Sequence, residues 1–283
     1  MKEEEKDQKE HQKQLEEKSD NIKGGKKYSD ILSRVIHEGE QMFAIKSKAI
    51  FLSGVIAGLE IGFSYFMICT FYALLDGHVE QNILFKSFGF VYPIGFILVI
   101  LGKSALYTEQ TSLLALPVLN GQRSLLEMLR LWGLVISGNV LGGIVFTFFI
   151  GILAPNFGLF TSDTMVTVGH HVLDYEAWVL FLSAITAGWL MGLLTWLLNS
   201  TETTLTRIVI IFMITGVIGF GGFHHSIVGN IEAFGAFWKS ASVSGWDYLK
   251  FLLLALIGNG VGGAIVVGLF KYRIFESNYA DES

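Results

Sequence analysis

The sequence has little cysteine, proline or charge, and each shortage excludes a class of protein. Cys69 is the only cysteine in 283 residues, which excludes a disulfide framework and a cysteine-based metal site. Charged residues form 16% of the chain and hydrophobic residues form 52%, so a water-soluble surface of ordinary charge density cannot be built. The 3 prolines and 32 glycines are typical of transmembrane helices that pack closely. The composition predicts an integral membrane protein and gives no indication of a nucleic-acid partner.

The N-terminal segment is the exception, because its charge is dense. Residues 1–27 contain eight lysines and eight acidic residues but no aromatic residue, so we expect a solvated tail without a cleavable signal peptide. From Ser29 onward, Ile31, Leu32 and Val35 share one helical face, which predicts an amphipathic helix at the membrane surface. The predicted organisation is a charged tail with an interfacial helix (1–45), a six-span membrane domain (46–273) and a C-terminal tail (274–283).

Six apolar segments are long enough to cross the hydrocarbon core, which takes about 20 helical residues. They cover approximately residues 49–75, 85–119, 126–153, 178–198, 208–238 and 249–270. Lysine and arginine are concentrated in the connections on the side of the N-terminal tail, whereas the connection 154–177 has neither. By the positive-inside rule, we expect a multi-pass protein of the plasma or inner membrane with both termini in the cytoplasm.

The second and fifth segments are too long and too interrupted to be plain spans. The second contains residues 102–110, where Lys103 and Glu109 stand within an apolar run. The fifth contains the glycine-rich stretch 219–226, which includes two adjacent histidines. Non-helical backbone at membrane depth is tolerated only where it is buried in protein or lines a cavity. Two broken helices in corresponding halves of the chain therefore predict a transport site.

An internal repeat supports this correspondence. Residues 51–62 (FLSGVIAGLEIG) resemble residues 181–192 (FLSAITAGWLMG), and residues 138–143 (GNVLGG) resemble residues 258–263 (GNGVGG). Small residues at these spacings are also common wherever membrane helices pack closely, which is the alternative explanation. Two matches that occur in the same order and flank the two breaks favour a repeat. Three spans in each half give the halves opposite orientations. The predicted fold is all-α, with six transmembrane helices in a 3+3 inverted repeat and with helices two and five broken.

Several polar side chains of the apolar segments are candidate functional residues. Imidazole titrates near neutral pH and can supply or relay a proton, so His225 is the first candidate and His224 the second. The amides of Asn139 and Asn259, at equivalent positions of the repeat, can bond the backbone groups that the breaks leave free. These asparagines are therefore predicted to be scaffold residues.

Three charged side chains are expected within the membrane. Glu60 lies near the centre of the first span and Lys103 at the first break, so we predict that they pair or that Lys103 supplies a positive charge to the site. The competing interpretation is that Lys103 extends to the membrane surface and Glu60 is protonated or bonded to the backbone. Glu109, just after the break, is predicted to cap the second half-helix by bonding its first amides.

Taken together, the two breaks and the repeat resemble the formate/nitrite transporter family over residues 49–270. The residues that carry the resemblance are Leu106-Tyr107-Thr108, Phe223-His224-His225-Ser226 and the Gly-Asn pairs of spans three and six. The resemblance implies aquaporin-like protomers that assemble as a homopentamer and pass small monovalent anions such as formate or nitrite. It assigns the central histidine to His225 and the threonine that faces this histidine to Thr108. Leu106 and Tyr107 match a Leu-Phe pair at the pore constriction, to which we add Phe223.

The sequence departs from the family pattern at its charged positions. The family has a lysine before span four, near Val172 here, but residues 157–198 contain no lysine. The acidic residues that the family carries before the central histidine and before the Leu-Phe-Thr motif are replaced by His224 and Ala105. The resemblance therefore implies a divergent member whose anion the sequence does not identify.

Two other functions compete with an anion pathway. A membrane enzyme would need a metal or catalytic constellation, and adjacent histidines cannot easily chelate one ion from a helix, so we expect neither an enzyme, a metal nor a cofactor. A cation transporter for ammonium or protons, using the membrane glutamates, Lys103 and the histidines, is the stronger alternative. The leading prediction is transport of weak-acid anions through the bilayer, linked to protons by the central histidine.

Overall fold

The computed structural model describes residues 28–279, and within this range the chain is built of helices. The prediction of a solvated tail falls on residues outside the described range. The helices are α1 Tyr28–Ala44, α2 Ser47–Leu75, α3 Gln81–Ser87, α4 Pro93–Gly102, α5 Tyr107–Leu119, α6 Leu125–Asn156, α7 Ser162–Leu173, α8 Ala177–Asn199, α9 Thr204–Gly221, α10 Ser226–Lys239, α11 Gly245–Gly260 and α12 Phe270–Tyr279. A short 3₁₀ turn, Phe88–Phe90, joins α3 to α4, and a π-helical segment, Val261–Leu269, joins α11 to α12.

Six of the helical segments are long and apolar enough to cross a membrane, which confirms the predicted number and order of spans. They are Ser47–Leu75, Gln81–Gly102, Leu125–Asn156, Ala177–Asn199, Thr204–Gly221 and Gly245–Ser277. Glycines let the backbones approach closely: a Cβ at Gly142 would collide with the carbonyl oxygen of Val55, and one at Gly262 with that of Ile185. Such contacts join spans one and three, and spans four and six, by the small-residue packing that is common in membranes.

Both predicted breaks lie where the sequence placed them. Helix α4 ends at Gly102 and Lys103 takes a left-handed conformation with φ of 62°, while α9 ends at Gly221 and Gly222 takes the same conformation with φ of 63°. After each break a second helix begins, α5 in span two and α10 in span five. Glycine adopts this conformation without strain. Lys103 is the only non-glycine residue with a positive φ in the described part of the chain.

One asparagine side chain holds the first break together. Asn139 of α6 is fully buried, and its Nδ2 donates hydrogen bonds to the carbonyl oxygens of Gly54 (2.9 Å) and Ala105 (2.8 Å). Its Oδ1 accepts a hydrogen bond of 2.8 Å from the backbone N–H of Tyr107. The amide therefore satisfies backbone groups of α2 and of both sides of the break.

The second half of the chain repeats these bonds atom for atom. Asn259 donates from Nδ2 to the carbonyl oxygens of Ala184 (2.7 Å) and His224 (3.0 Å), and its Oδ1 accepts from the N–H of Ser226 at 2.7 Å. The Ser183 hydroxyl accepts a hydrogen bond from the N–H of His224. The equivalent serine of α2, Ser53, accepts one from the N–H of Ala105. The sequence repeat thus corresponds to a repeated set of hydrogen bonds around the two breaks.

The amphipathic helix α1 packs against the membrane bundle. Its buried residues Ile31, Leu32 and Val35 form a cluster with Leu113, Leu116 and Trp196. Span six continues beyond its predicted end through α12, and the Tyr28 hydroxyl donates a 2.6 Å hydrogen bond to the carbonyl oxygen of Lys271. The first residues predicted as C-terminal tail are therefore helical as far as Tyr279.

Candidate functional site

The two broken helices meet at a hydrogen bond between Thr108 and His225. The Thr108 Oγ1 lies 2.7 Å from His225 Nε2, and both side chains are fully buried. The other ring nitrogen, Nδ1, accepts a 3.3 Å hydrogen bond from the N–H of Val228 and so caps α10. Because a nitrogen that accepts carries no proton, the neutral ring has its hydrogen on Nε2 and donates it to Thr108. The cap thus fixes the tautomer of His225.

The neighbouring histidine has different partners. His224 Nδ1 lies 2.7 Å from the hydroxyl of Ser183, and its Nε2 lies 3.2 Å from the carbonyl oxygen of Val172. A carbonyl can only accept, so Nε2 donates and Nδ1 accepts from the serine. His224 is therefore tied to α7 and α8, whereas His225 is tied to α5.

A narrow cavity of about 30 Å³, large enough for one or two water molecules, lies on the α7 side of the central hydrogen bond. We call it the outer cavity. Its lining residues are Ile68, Phe88, Tyr92, His171, Val172, Ile218, Gly219, Gly222, Phe223, His224, His225, Gly229, Glu232 and Phe251. No lysine or arginine is among these described lining residues. An anion that enters the outer cavity therefore meets no fixed positive charge there.

Val172, near which the resemblance places the family's lysine, borders this cavity. Val172 lies in the lining, next to His171, whose ring stacks on Phe85 with centroids 3.9 Å apart. Burial lowers the pKa of His171, so this ring is uncharged at neutral pH. His170 instead bonds Asp174. Within residues 28–279 no cluster of three or more histidine, cysteine or acidic residues could hold a metal ion.

Glu232 is the residue that the sequence interpretation missed. It lies two helical turns after His225 on α10, is only 6% exposed and lines the outer cavity. The described residues offer its carboxylate no hydrogen-bond or ion-pair partner. The available signal was an ionisable residue within an apolar span, which marks a functional candidate.

The predicted pairing of Lys103 with Glu60 is wrong. Lys103 Nζ lies 3.8 Å from Glu38 Oε1 of α1, and its side chain is 69% exposed. Glu60 Oε2 is buried without a hydrogen-bond partner, and a Cβ at Gly102 would lie 3.3 Å from Glu60 Oε1. Lys103 takes a left-handed conformation, and its exposed side chain extends toward Glu38 of α1. Lys103 is likewise absent from the lining of the outer cavity.

The capping role predicted for Glu109 is also wrong. Helix α5 has Leu106 at its N-cap position and no side-chain cap hydrogen bond, because Asn139 takes the first amide of the helix. Glu109 lies in the first turn of α5, where a negative charge interacts favourably with the helix dipole.

The three predicted constriction residues lie in different surroundings. Phe223 lines the outer cavity. Leu106 is fully buried. The Tyr107 hydroxyl donates a 3.0 Å hydrogen bond to the carbonyl oxygen of Leu256, and its ring packs edge-on against Trp132. The structure thus brings Phe223 to the central histidine and places Tyr107 between α6 and α11.

Comparison with known proteins agrees with the fold. A family model described as formate/nitrite transporter matches residues 29–273. The inner membrane protein YfdC of Escherichia coli (strain K12) is 28% identical over 288 aligned residues, which cover 96% of this chain and 90% of that protein. A solved structure described as an FNT family ion channel superposes with a TM-score of 0.76 at 22% identity, covering 87% of this chain and 99% of the other.

A second solved structure is a pentameric formate channel with formate bound. It has a TM-score of 0.66 at 20% identity, and the match covers 81% of this chain and 97% of that one. These two structures share the fold of this protein, and the family model covers nearly all of its described residues. The chain therefore belongs to the formate/nitrite transporter family.

Proposed function

We propose that this protein is a transmembrane pathway for small monovalent anions of weak acids, such as formate or nitrite, and that it couples their passage to protons. The observation that carries the proposal is the 2.7 Å contact between Thr108 and His225 at the meeting point of two broken helices. Paired breaks of this kind form substrate sites in transport proteins. The family description and the formate bound in one structural neighbour support the same class of substrate.

The coupling to protons follows from the apolar walls of the pathway. An ion that leaves water for an apolar passage loses solvation free energy of many kcal/mol, whereas the neutral acid does not. Phe223, Phe88 and Ile218 supply such walls in the outer cavity. The Nε2–H of His225 and the Thr108 hydroxyl can then hydrogen-bond the permeating acid. In this proposal His225 and Thr108 form the central relay, and His224 lines the approach to it.

We extend the proposal to the assembly and its orientation. The pentameric state of the formate channel and the many exposed apolar side chains on the spans support a homopentamer embedded in lipid. The concentration of lysine and arginine on the α1 side supports cytoplasmic termini by the positive-inside rule. The location is then the plasma or inner membrane.

Flux measurements on proteoliposomes test the proposal directly. Inwardly directed gradients of formate, nitrite, chloride and ammonium are applied, and an internal pH dye reports proton movement by stopped-flow. Formate and nitrite should acidify the lumen, and chloride should not. His225→Asn should slow this acidification, while His170→Asn, which alters a histidine outside the outer cavity, should not.

A cation pathway remains the second candidate because of one observation. The outer cavity has no lysine or arginine in its lining and contains the carboxyl group of Glu232, which attracts cations when it is ionised. If ammonium crosses the membrane and neither formate nor nitrite does, the anion proposal is wrong and the cation alternative replaces it.

A further inference from the structure

The Glu232 side chain shares one face of α10 with the central histidine. His225, Gly229 and Glu232 all line the outer cavity, and residues at this helical spacing lie on the same face. Two turns of helix place Glu232 about 10 Å from His225 along the helix axis. Gly229 between them has no room for a side chain, because a Cβ there would collide with the Phe251 ring. The Phe251 ring therefore covers the helix at Gly229, and the carboxyl and the imidazole both border the outer cavity beside this ring.

The groups around Glu232 provide no charge to hold it ionised. Those in electrostatic reach of its carboxyl are Tyr65 and Cys69 of α2 and Tyr92 before α4. The other titratable groups of the cavity are His171 of α7, His224 and His225. None of these is a lysine or arginine. A carboxylate with no such partner is expensive inside a membrane protein, whereas a protonated carboxyl is not.

The central histidine is poorly arranged to store a proton. Its Nδ1 already accepts the N–H of Val228, so a second proton on the ring would have to displace this cap. His225 can orient and relay a proton at Nε2. The group that takes up a proton and later releases it must therefore be a different side chain. Glu232 is the carboxyl group in the lining of the outer cavity.

We propose that Glu232 is the proton donor to the entering anion, an inference that rests on the proposed function. The protonated carboxyl hydrogen-bonds the anion in the outer cavity and transfers its proton to an anion oxygen. The O–H bond of Glu232 breaks, an O–H bond of the neutral acid forms, and the acid moves on past Phe223 to His225. The carboxylate that remains is reprotonated from water on the α7 side, so one proton crosses with each anion.

Glutamine at this position keeps the shape and the hydrogen-bonding capacity but cannot give up a proton. In proteoliposomes at pH 6, Glu232→Gln should reduce formate-driven lumenal acidification by about a hundredfold, the low end of what a positioned proton donor contributes. Glu232→Asp should retain flux that rises as the external pH falls. Glu176→Gln, an exposed carboxyl on the same side, is the matched control and should behave like the wild type.

The outcomes separate this inference from the proposed function. If Glu232→Gln carries formate as fast as the wild type, or faster than the wild type at high pH, the donor role is wrong. The anion pathway itself is then unaffected. An aspartate variant that assembles but loses flux as completely as glutamine also overturns it, because the carboxyl is then insufficient. Absence of formate and nitrite flux in the wild type overturns both. If Glu232→Gln does not assemble, Glu232→Asp is compared with Glu232→Asn. These two side chains are equal in size, and only the aspartate can donate a proton.

Discussion

The asparagine clamp around the second break gives the most demanding test of the structure. Replacing Asn259 by alanine removes three hydrogen bonds, from Ser226 and to Ala184 and His224. The side chain is 0% exposed, so water cannot replace the lost partners. Each net hydrogen bond is worth about 1 kcal/mol, and each orphaned buried group costs about 1–3 kcal/mol. We expect the free energy of unfolding to fall by about 3–6 kcal/mol.

The assay is reversible unfolding in mixed detergent micelles, followed by circular dichroism. Asn156→Ala is the matched control, since this exposed asparagine bonds only the carbonyl oxygen of Ile152 in its own helix and should cost less than about 1 kcal/mol. Asn139→Ala should match Asn259→Ala, because the two clamps make equivalent bonds. If Asn259→Ala were no more destabilising than Asn156→Ala, the clamp would not hold the break.

Three smaller changes test other parts of the structure. Thr108→Val removes the hydroxyl at the central contact, so we expect formate flux to fall about tenfold while unfolding free energy changes by only about 1 kcal/mol; equal flux would contradict the relay. Lys103→Gly removes the strain of a left-handed backbone at a residue with a side chain. In a Glu38→Gln background, which removes the ion pair, this change should raise the free energy of unfolding by about 1 kcal/mol. Burial lowers the pKa of His171, so the unfolded chain binds the extra proton and stability should fall below about pH 6.5. His171→Phe should lessen that loss in pH-dependent melting curves, and an unchanged slope would exclude this histidine as its cause.

The spans and breaks were predictable because their signals are local. A run of apolar residues long enough to cross the bilayer identifies a helix, and Lys103 or the glycines near 219–222 interrupt such a run visibly. The repeat was predictable because a small residue at a close helix contact cannot be exchanged for a larger one. These features depend on the order of residues along the chain and hardly on how the helices are rotated against one another.

The pairing of charges was not predictable, because it depends on rotation and depth. Lys103 and Glu60 occupy comparable depths, yet the lysine side chain extends toward Glu38. Glu109 follows a break as a capping residue would, but a side chain from a distant helix already bonds the first amide. Glu232 was overlooked although its position two turns after His225 places both on one helix face. A sequence search that projects every polar residue of a half-helix onto that face would have found it.

The two asparagine clamps have a consequence for how this architecture diverges. Asn139 bonds only groups of the first half of the chain, and Asn259 bonds only groups of the second. Each clamp is therefore built within one half of the chain, whereas separate contacts such as Thr108 with His225 join the halves. Substitutions at the boundary between halves can change what the pathway accepts at little cost in foldability. A duplicated chain with this construction can acquire new selectivity through a few exchanges while both supporting asparagines stay in place.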